Sequence, residues 1–381
     1  MPKYVLFTGS PPFSNGGGGC NILTYDLLQV LGPSCPIACL PTRSNHEARS
    51  QAAETIYFRE LRGRMYRRIL PNVRKIIDET FAYRAGLSAR RRLLDRGVDT
   101  VFAFAGADWR FLYQARAFSR GGELPYVLYV VDDFEESELG WLPEADVSKV
   151  RKVELEIMRA AKKVYCISSG YCEHLRAKYG VEAQTLPFHL RPAAEVSSFD
   201  SDVRRLVFYG SINRLYASAL EAIAGIIAAH KPGSQSYKYR LTLVSGSPLT
   251  PNLLEAERAG IVERVRGTTP EEILAQARRG WANILPYAFE EKEKVMVSTS
   301  FPTKVTNCAQ SGRPTIVFAP SYASTTRYAQ TNGWRWVAET KEDLLRILSL
   351  GVNEANEEWT RQQVVFEREH SADLIRSILD V

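Results

Sequence analysis

What most constrains this chain is the regular exchange of short apolar runs with helical stretches along almost its whole length. Strand-like runs stand at Tyr4–Thr8, Ile37–Leu40, Thr100–Ala105, Tyr126–Val131, Lys163–Ile167 and Gln184–Phe188. A second series follows at Arg205–Tyr209, Arg240–Val244, Ile261–Arg266, Ala282–Pro286, Pro314–Phe318 and Trp334–Ala338. Most are apolar without alternation, the pattern of strands covered on both faces. Helical patterns lie between them at Ile22–Val30, Trp109–Phe118, Val147–Arg159, Tyr171–Lys178, Leu215–Ala229, Pro270–Arg278 and Lys341–Leu348. Strand–helix–strand order on this scale predicts an α/β chain built on doubly wound parallel sheets.

The alternation breaks once, at His189–Asp202, which is polar, aperiodic and contains Pro192. Read as a linker, it divides the 381 residues into a Rossmann-like domain over 1–190 and a second over 203–353. A last helical segment, 354–381, is expected to pack back on the first domain. Two such halves facing each other enclose a cleft, and ligands of these sheets bind outside the strands' carboxyl ends. With 45% hydrophobic and 24% charged residues the chain is no disordered polymer. No apolar run approaches the ~18 residues of a membrane span. The start of the chain reads as a strand running into a loop rather than a signal peptide. Six cysteines form no CxxC pair and no Cys/His metal spacing, which suits a reduced, cytoplasmic compartment. Cys166, inside an apolar strand, reads as a small buried hydrophobe.

Four stretches carry candidate chemistry. The first strand runs into Gly16, Gly17, Gly18 and Gly19 ahead of a helix. Such a loop lets backbone N–H groups approach an anion, or is simply a surface loop. The Tyr126–Val131 strand delivers Asp132 and Asp133 to its carboxyl tip, where a catalytic or ligand-orienting acid is expected. Alternatively Asp133 caps the next helix; Asp132 leaves the strand first and is the stronger candidate. Gly210-Ser211-Ile212-Asn213-Arg214 joins a strand to a helix. It suits a diphosphate held by backbone donors and one cation, or a tight turn with a surface arginine. The fourth is Ile284-Leu285-Pro286-Tyr287, followed by Val297 through Pro314. There Pro302 is expected to open a helix with Thr303 and Lys304 at its positive end, and Gly312 to close it.

This last stretch resembles the donor-binding segment of GT-B glycosyltransferases of the family 4 type, which often read Ser-x-x-Pro-Ser/Thr-Lys-x-x-Glu-(x)n-Gly-x-Pro. Phe208–Leu220 is similar to the Gly-rich opening of their donor domain, and Ala160–Pro187 to the end of their first domain. The resemblance implies a GT-B fold of two Rossmann-like domains. It implies transfer of a sugar from a nucleotide diphosphate sugar to a hydroxyl of a glycan or lipid-linked acceptor, as in bacterial polysaccharide or glycoconjugate synthesis. No cofactor and no metal are implied. By the same resemblance, Gly210, Ser211 and Arg214 line the donor phosphates. Thr303 and Lys304 lie near the diphosphate or sugar, with Pro286 and Tyr287 on the donor side. Gly17, Gly18 and Gly19 match the acceptor-side loop, and Asp132 stands where many members carry a His. A carboxylate there suits the base of an inverting transfer. The family's two glutamates fall on Thr299 and Asn307, so Asn307 is left to meet the ribose without charge.

Net charge adds a partner. The chain carries +6, and Phe58–Gly97 alone holds twelve basic against four acidic residues. Phe58, Leu61, Met65 and Ile69 share a helical face rimmed by Arg59, Arg62, Arg64 and Arg67. Such a face suits an anionic membrane surface, placing the protein peripherally at the inner face of the plasma membrane, or is a core-facing helix with a solvated side. No nucleic-acid module is present. Three other readings stay open: a nucleotide-sugar epimerase or hydrolase on the same fold, a non-catalytic sugar- or partner-binding protein, and a Rossmann oxidoreductase. The last lacks GxGxxG in either half.

Overall fold

The computed structural model describes residues 4–8, 24, 27, 37–39, 55–57, 71–95, 97–105, 109–119, 124–133, 144–186, 193–195, 203–229, 238–266 and 269–369. The chain divides into two compact units, Met1–Leu186 with Ala372–Val381, and Pro187–Ser371. The division falls just before the expected linker, of which only 193–195 lie within the described residues.

The first unit holds strands β1 (Tyr4–Thr8), β2 (Ile37–Cys39), β3 (Thr55–Tyr57), β4 (Thr100–Ala105), β5 (Tyr126–Val130), β6 (Lys163–Cys166) and β7 (Gln184–Thr185). They lie in the order β3-β2-β1-β4-β5-β6-β7, all pairs parallel. The second holds β8 (Val203–Tyr209), β9 (Lys238–Val244), β10 (Val262–Val265), β11 (Ala282–Pro286), β12 (Thr315–Phe318) and β13 (Val337–Ala338). Their order is β10-β9-β8-β11-β12-β13, again parallel throughout. Both sheets grow outward from their first strand, then cross back over it. Each therefore has a switch point, between β1 and β4 and between β8 and β11, where the connections part and leave room for a ligand at the carboxyl ends.

Continuous apolar runs become central strands, as expected of sheets covered on both faces. Every residue of β5 and of β11 is buried. In the first unit, Tyr129 packs between Phe102 and Phe104 of β4, ring centroids 6.3 and 5.7 Å away. The basic segment supplies helix α1 (Pro71–Asp95), opened by proline at a position where no amide bond is lost. It packs on α2 (Trp109–Ser119) through Ala82, Gly86, Ala89 and Leu93, all buried and spaced to one face. A methyl group on Gly86 would stand 2.7 Å from the Gln114 carbonyl oxygen and 2.8 Å from the Ala117 Cβ. The helices touch backbone to backbone there. Arg84, Arg91 and Arg92 point to solvent, so this helix is core-facing with a solvated basic side. The Phe58–Ile69 face lies outside the described residues. Among those residues no helix is long and apolar enough to cross a membrane.

The second unit is closed by its last helix. Of residues 354–381, expected on the first domain, the helix Val352–Glu369 falls in the second unit, while Ala372–Val381 is grouped with the first. Gln362 takes the amide of Thr315, at the start of β12, and donates to its carbonyl, at 2.8 and 2.9 Å. Buried Glu358 accepts the amides of Arg335 and Trp336 at 2.9 and 3.3 Å. Trp359 and Phe366 are fully buried and pack on each other, and Phe366 meets Trp334 edge-on. Trp359→Ala is expected to cost about 3–5 kcal/mol in stability, measured by chemical denaturation, because it empties the space beneath the helix.

Candidate functional site

In the second unit the residues singled out in the sequence gather at the carboxyl ends of β8 and β11, the two strands that flank the switch point. Gly210 follows β8 with φ +106°, a conformation that favours glycine. A Cβ there would sit 2.8 Å from the Lys304 Cε and 3.5 Å from its Nζ. The missing side chain therefore makes the channel through which Lys304 crosses the turn. The expected use of this turn as a row of backbone donors is corrected in part. The Gly210 amide already donates to the Val244 carbonyl (3.0 Å) and the Ile212 amide to Ser247 Oγ (3.1 Å).

Lys304 is held at both ends. Its carbonyl accepts the Tyr209 hydroxyl at 2.8 Å, and that oxygen also lies 2.8 Å from Cys308 Sγ. Burial holds the Tyr209 hydroxyl well above its usual pKa and pushes the Cys308 thiol up to about 11, so both stay protonated near neutrality. The Lys304 ammonium lies 3.9 Å above the ring of Tyr216 and 5.2 Å from that of Phe208. Tyr216 in turn stacks on Tyr287, centroids 5.4 Å apart and planes at 21°. An ammonium over aromatic faces is attracted by them yet keeps its hydrogen-bonding protons for an anion. Three separate elements supply these rings, so their convergence has no local sequence signal.

The other expected donor-side residues are placed as follows. Pro286 ends β11 and is buried. Tyr287 is also buried, and its hydroxyl donates to the Ser300 carbonyl at 3.3 Å, so it supports Tyr216 rather than lining an open surface. Ser211 is exposed, and Thr303 and Asn307 are half-buried. The expected helix start at Pro302 is a turn instead; the helix covers Val305–Ser311, and Gly312 closes it with φ +67°. Asn307 lies in the first turn of that helix, and Thr303 in the turn that leads into it. Thr299 is buried and donates to the Val295 carbonyl of its own helix at 2.8 Å. Arg214 is half exposed and lies 3.4 Å from the buried carboxylate of Glu293.

In the first unit, Asp132 and Asp133 follow β5 as expected, and their environments differ. Asp133 Oδ2 accepts from His174 Nε2 at 2.9 Å and Lys178 Nζ at 2.8 Å, and its side chain is 0% exposed. Both donors come from α4 (the Ser169–Tyr179 helix, numbered after α3, Glu144–Ala160). Tyr171, on the same face of α4, donates to the Asp132 carbonyl at 2.8 Å. Asp133 thus anchors a helix, which corrects its expected place as a catalytic acid. The half-buried Asp132 side chain is the remaining candidate at this tip. His174 and Lys178 were missed in the sequence, although their spacing of four on a helix was visible. Gly17, Gly18 and Gly19 lie outside the described residues. Among the described residues no group of three His, Cys, Asp or Glu side chains is placed to hold a metal ion.

No protein-family model matches the sequence, nor does any curated protein. Solved structures do resemble it over its full length. The N-terminal domain of Candida albicans trehalose-6-phosphate phosphatase is 12% identical with TM-score 0.64, covering 100% of this chain and 97% of its own. A trehalose-6-phosphate protein from E. coli bound with UDP-2-fluoro glucose is 9% identical with TM-score 0.62, covering 99% and 98%. An α,α-trehalose-phosphate synthase (UDP-forming) from Burkholderia xenovorans in complex with glucose-6-phosphate is 11% identical with TM-score 0.59, covering 99% and 98%. The fold they share with this chain is GT-B.

Proposed function

We propose that the chain is a glycosyltransferase that takes its sugar from a nucleotide diphosphate donor held at the carboxyl ends of β8 and β11. The observation that carries this reading is Lys304 lying across Gly210 on the Tyr216 ring, at the switch point where the fold leaves room for a ligand. The likeness to a structure bound with UDP-2-fluoro glucose supports the same donor class. In the transfer, the bond from the anomeric carbon to the diphosphate breaks and its electron pair stays on phosphate oxygen. The Lys304 ammonium meets the charge that develops there. The acceptor hydroxyl bonds to the anomeric carbon, and Asp132 takes its proton. Thr303 and Asn307 offer neutral polar groups beside the donor.

For the acceptor, the likeness to a structure in complex with glucose-6-phosphate favours a phosphorylated sugar over the glycan or lipid-linked acceptor that the sequence suggested. A membrane surface as partner rests on the sequence of Phe58–Gly97 alone, its apolar face and its basic charge. A second reading, a sugar-binding protein without transfer, draws on the neutral Thr299 and Asn307. The test is thermal shift against UDP-, GDP-, ADP-, CMP- and dTDP-sugars, followed by product analysis with glucose-6-phosphate and with lipid-linked acceptors. At a donor concentration 100 times Kd, about 2.7 kcal/mol of stabilisation is expected. No response to any nucleotide sugar overturns the proposal. Binding with no product from any acceptor favours the second reading.

A further inference from the structure

Two cysteines outside the transfer machinery have been brought together. Cys166 closes β6 and is fully buried; Cys172 lies in the first turns of α4 and is half-buried. Parallel pairing sets Cys166 beside Thr185 of β7, and Cys172 Sγ is 3.6 Å from Thr185 Oγ1. Both side chains therefore converge on one threonine, Cys166 as its partner across the strands and Cys172 through its sulfur. The strand-to-helix turn between them is fixed by Ser168, whose Oγ accepts the Tyr171 amide at 3.0 Å. Both are free thiols. The neighbouring Cys166 side chain, helped by Thr185, the local backbone and Arg176 against burial, lowers Cys172 to about 7. Cys172 in turn, with burial, holds Cys166 well above its usual value. The arrangement is a thiolate near the start of a helix with a protonated thiol as its neighbour, the two roles that thiol oxidation needs.

We propose that Cys166 and Cys172 form a reversible dithiol–disulfide couple, oxidised by a hydroperoxide and restored by a dithiol. The Cys172 thiolate attacks the outer oxygen of the hydroperoxide. The O–O bond breaks, the departing alkoxide takes a proton, and Cys172 becomes a sulfenic acid. Cys166 then gives up its proton and attacks the Cys172 sulfur, and the sulfenic oxygen leaves as water. In sum, two thiols and one hydroperoxide become one disulfide, one alcohol and one water. A dithiol reverses this by two exchange steps, ending as its own disulfide. Closing the sulfurs to a bond of about 2.05 Å draws the first turns of α4 against β6. Tyr171 in that segment holds the Asp132 carbonyl, and His174 and Lys178 farther along hold Asp133, so the oxidised helix pulls on the β5 tip.

The experiment reads the thiols directly and is independent of whether sugar transfer occurs. Trypsin cuts after Lys163 and Arg176, leaving both cysteines in the one peptide Val164–Arg176. The folded protein is treated with hydrogen peroxide, alkylated, digested and weighed. The expected peptide is two hydrogens lighter and carries no alkyl group, and dithiothreitol before alkylation restores two alkyl groups. Cys166→Ser is expected to stop at a Cys172 sulfenic acid that dimedone traps, and Cys172→Ser to leave Cys166 unoxidised. Without oxidant at pH 7, Cys172 should alkylate about 3- to 4-fold faster than an ordinary thiol, and guanidinium chloride should abolish that advantage. A fully alkylated peptide after peroxide overturns the proposal. So does a disulfide that forms as fast in guanidinium chloride as in the folded protein.

Discussion

Lys304→Ala is expected to weaken nucleotide-sugar binding about 10- to 100-fold, measured by titration calorimetry, while the unliganded protein keeps its melting temperature. A hydrogen bond to a charged partner contributes roughly 1.5–3 kcal/mol, and about 1.4 kcal/mol is tenfold in Kd. Turnover should fall further than affinity, because charge on the leaving diphosphate grows along the reaction and is met by the same ammonium. Two companions separate this from a packing effect. Lys304→Arg keeps the charge but must fit a broad planar group over Gly210 and Tyr216, so partial recovery at best is expected. Gly210→Ala leaves the lysine in the chain but sets a methyl group 2.8 Å from its Cε, so donor affinity should drop in the same direction. Unchanged affinity in Lys304→Ala would remove Lys304 from the site.

Asp133→Ala is expected to destabilise the first unit by about 3 kcal/mol, because it strands the Lys178 ammonium in a largely enclosed place. Lys178 is only 17% exposed in its side chain, and His174 loses its acceptor at the same stroke. At roughly 2–4 °C per kcal/mol for a unit of this size, the first calorimetric transition should move down by about 6–12 °C. The neighbouring Asp132→Asn makes the contrast. Tyr171 bonds to the Asp132 main chain, which the substitution leaves intact, so the melting temperature should change far less. Transfer, in contrast, should fall by two orders of magnitude or more, about the contribution of a positioned general base. Full activity in Asp132→Asn would exclude it as the base.

What the sequence made legible follows from where hydrophobicity alone decides structure. β11 and β4 lie at the expected bounds because an unbroken apolar run has no other home in a two-sided sheet. The helix Pro251–Arg258 was not foreseen. Although Thr250 caps it and proline opens it, only Leu253 is buried, so no apolar period develops. Ser324–Thr331 was missed for a related reason: it buries Ser324, Thr325 and Thr326, polar residues that a hydrophobic pattern does not register. The expected strand at Trp334–Ala338 shrinks to Val337–Ala338, since the Arg335 and Trp336 amides are bound by Glu358. At the candidate site, the Gly210 turn and Lys304 were legible as motifs. Their contact across 94 positions was not, nor was the closure of Asp133 by a helix that begins 36 residues later. Such pairings are made by tertiary packing, and no local spacing announces them.

The clasp of Gln362 and Glu358 on β12 and on the approach to β13 also sets a timetable. The described strands of the first sheet are all encoded by residue 185, whereas the second sheet waits for Val352–Glu369, far downstream. At about 5–20 residues per second of synthesis, the second half stays incomplete on the ribosome for many seconds after the first sheet has all its strands. During that interval the socket for Trp359 and Phe366 stands open, and it is there that a chaperone has most to shield.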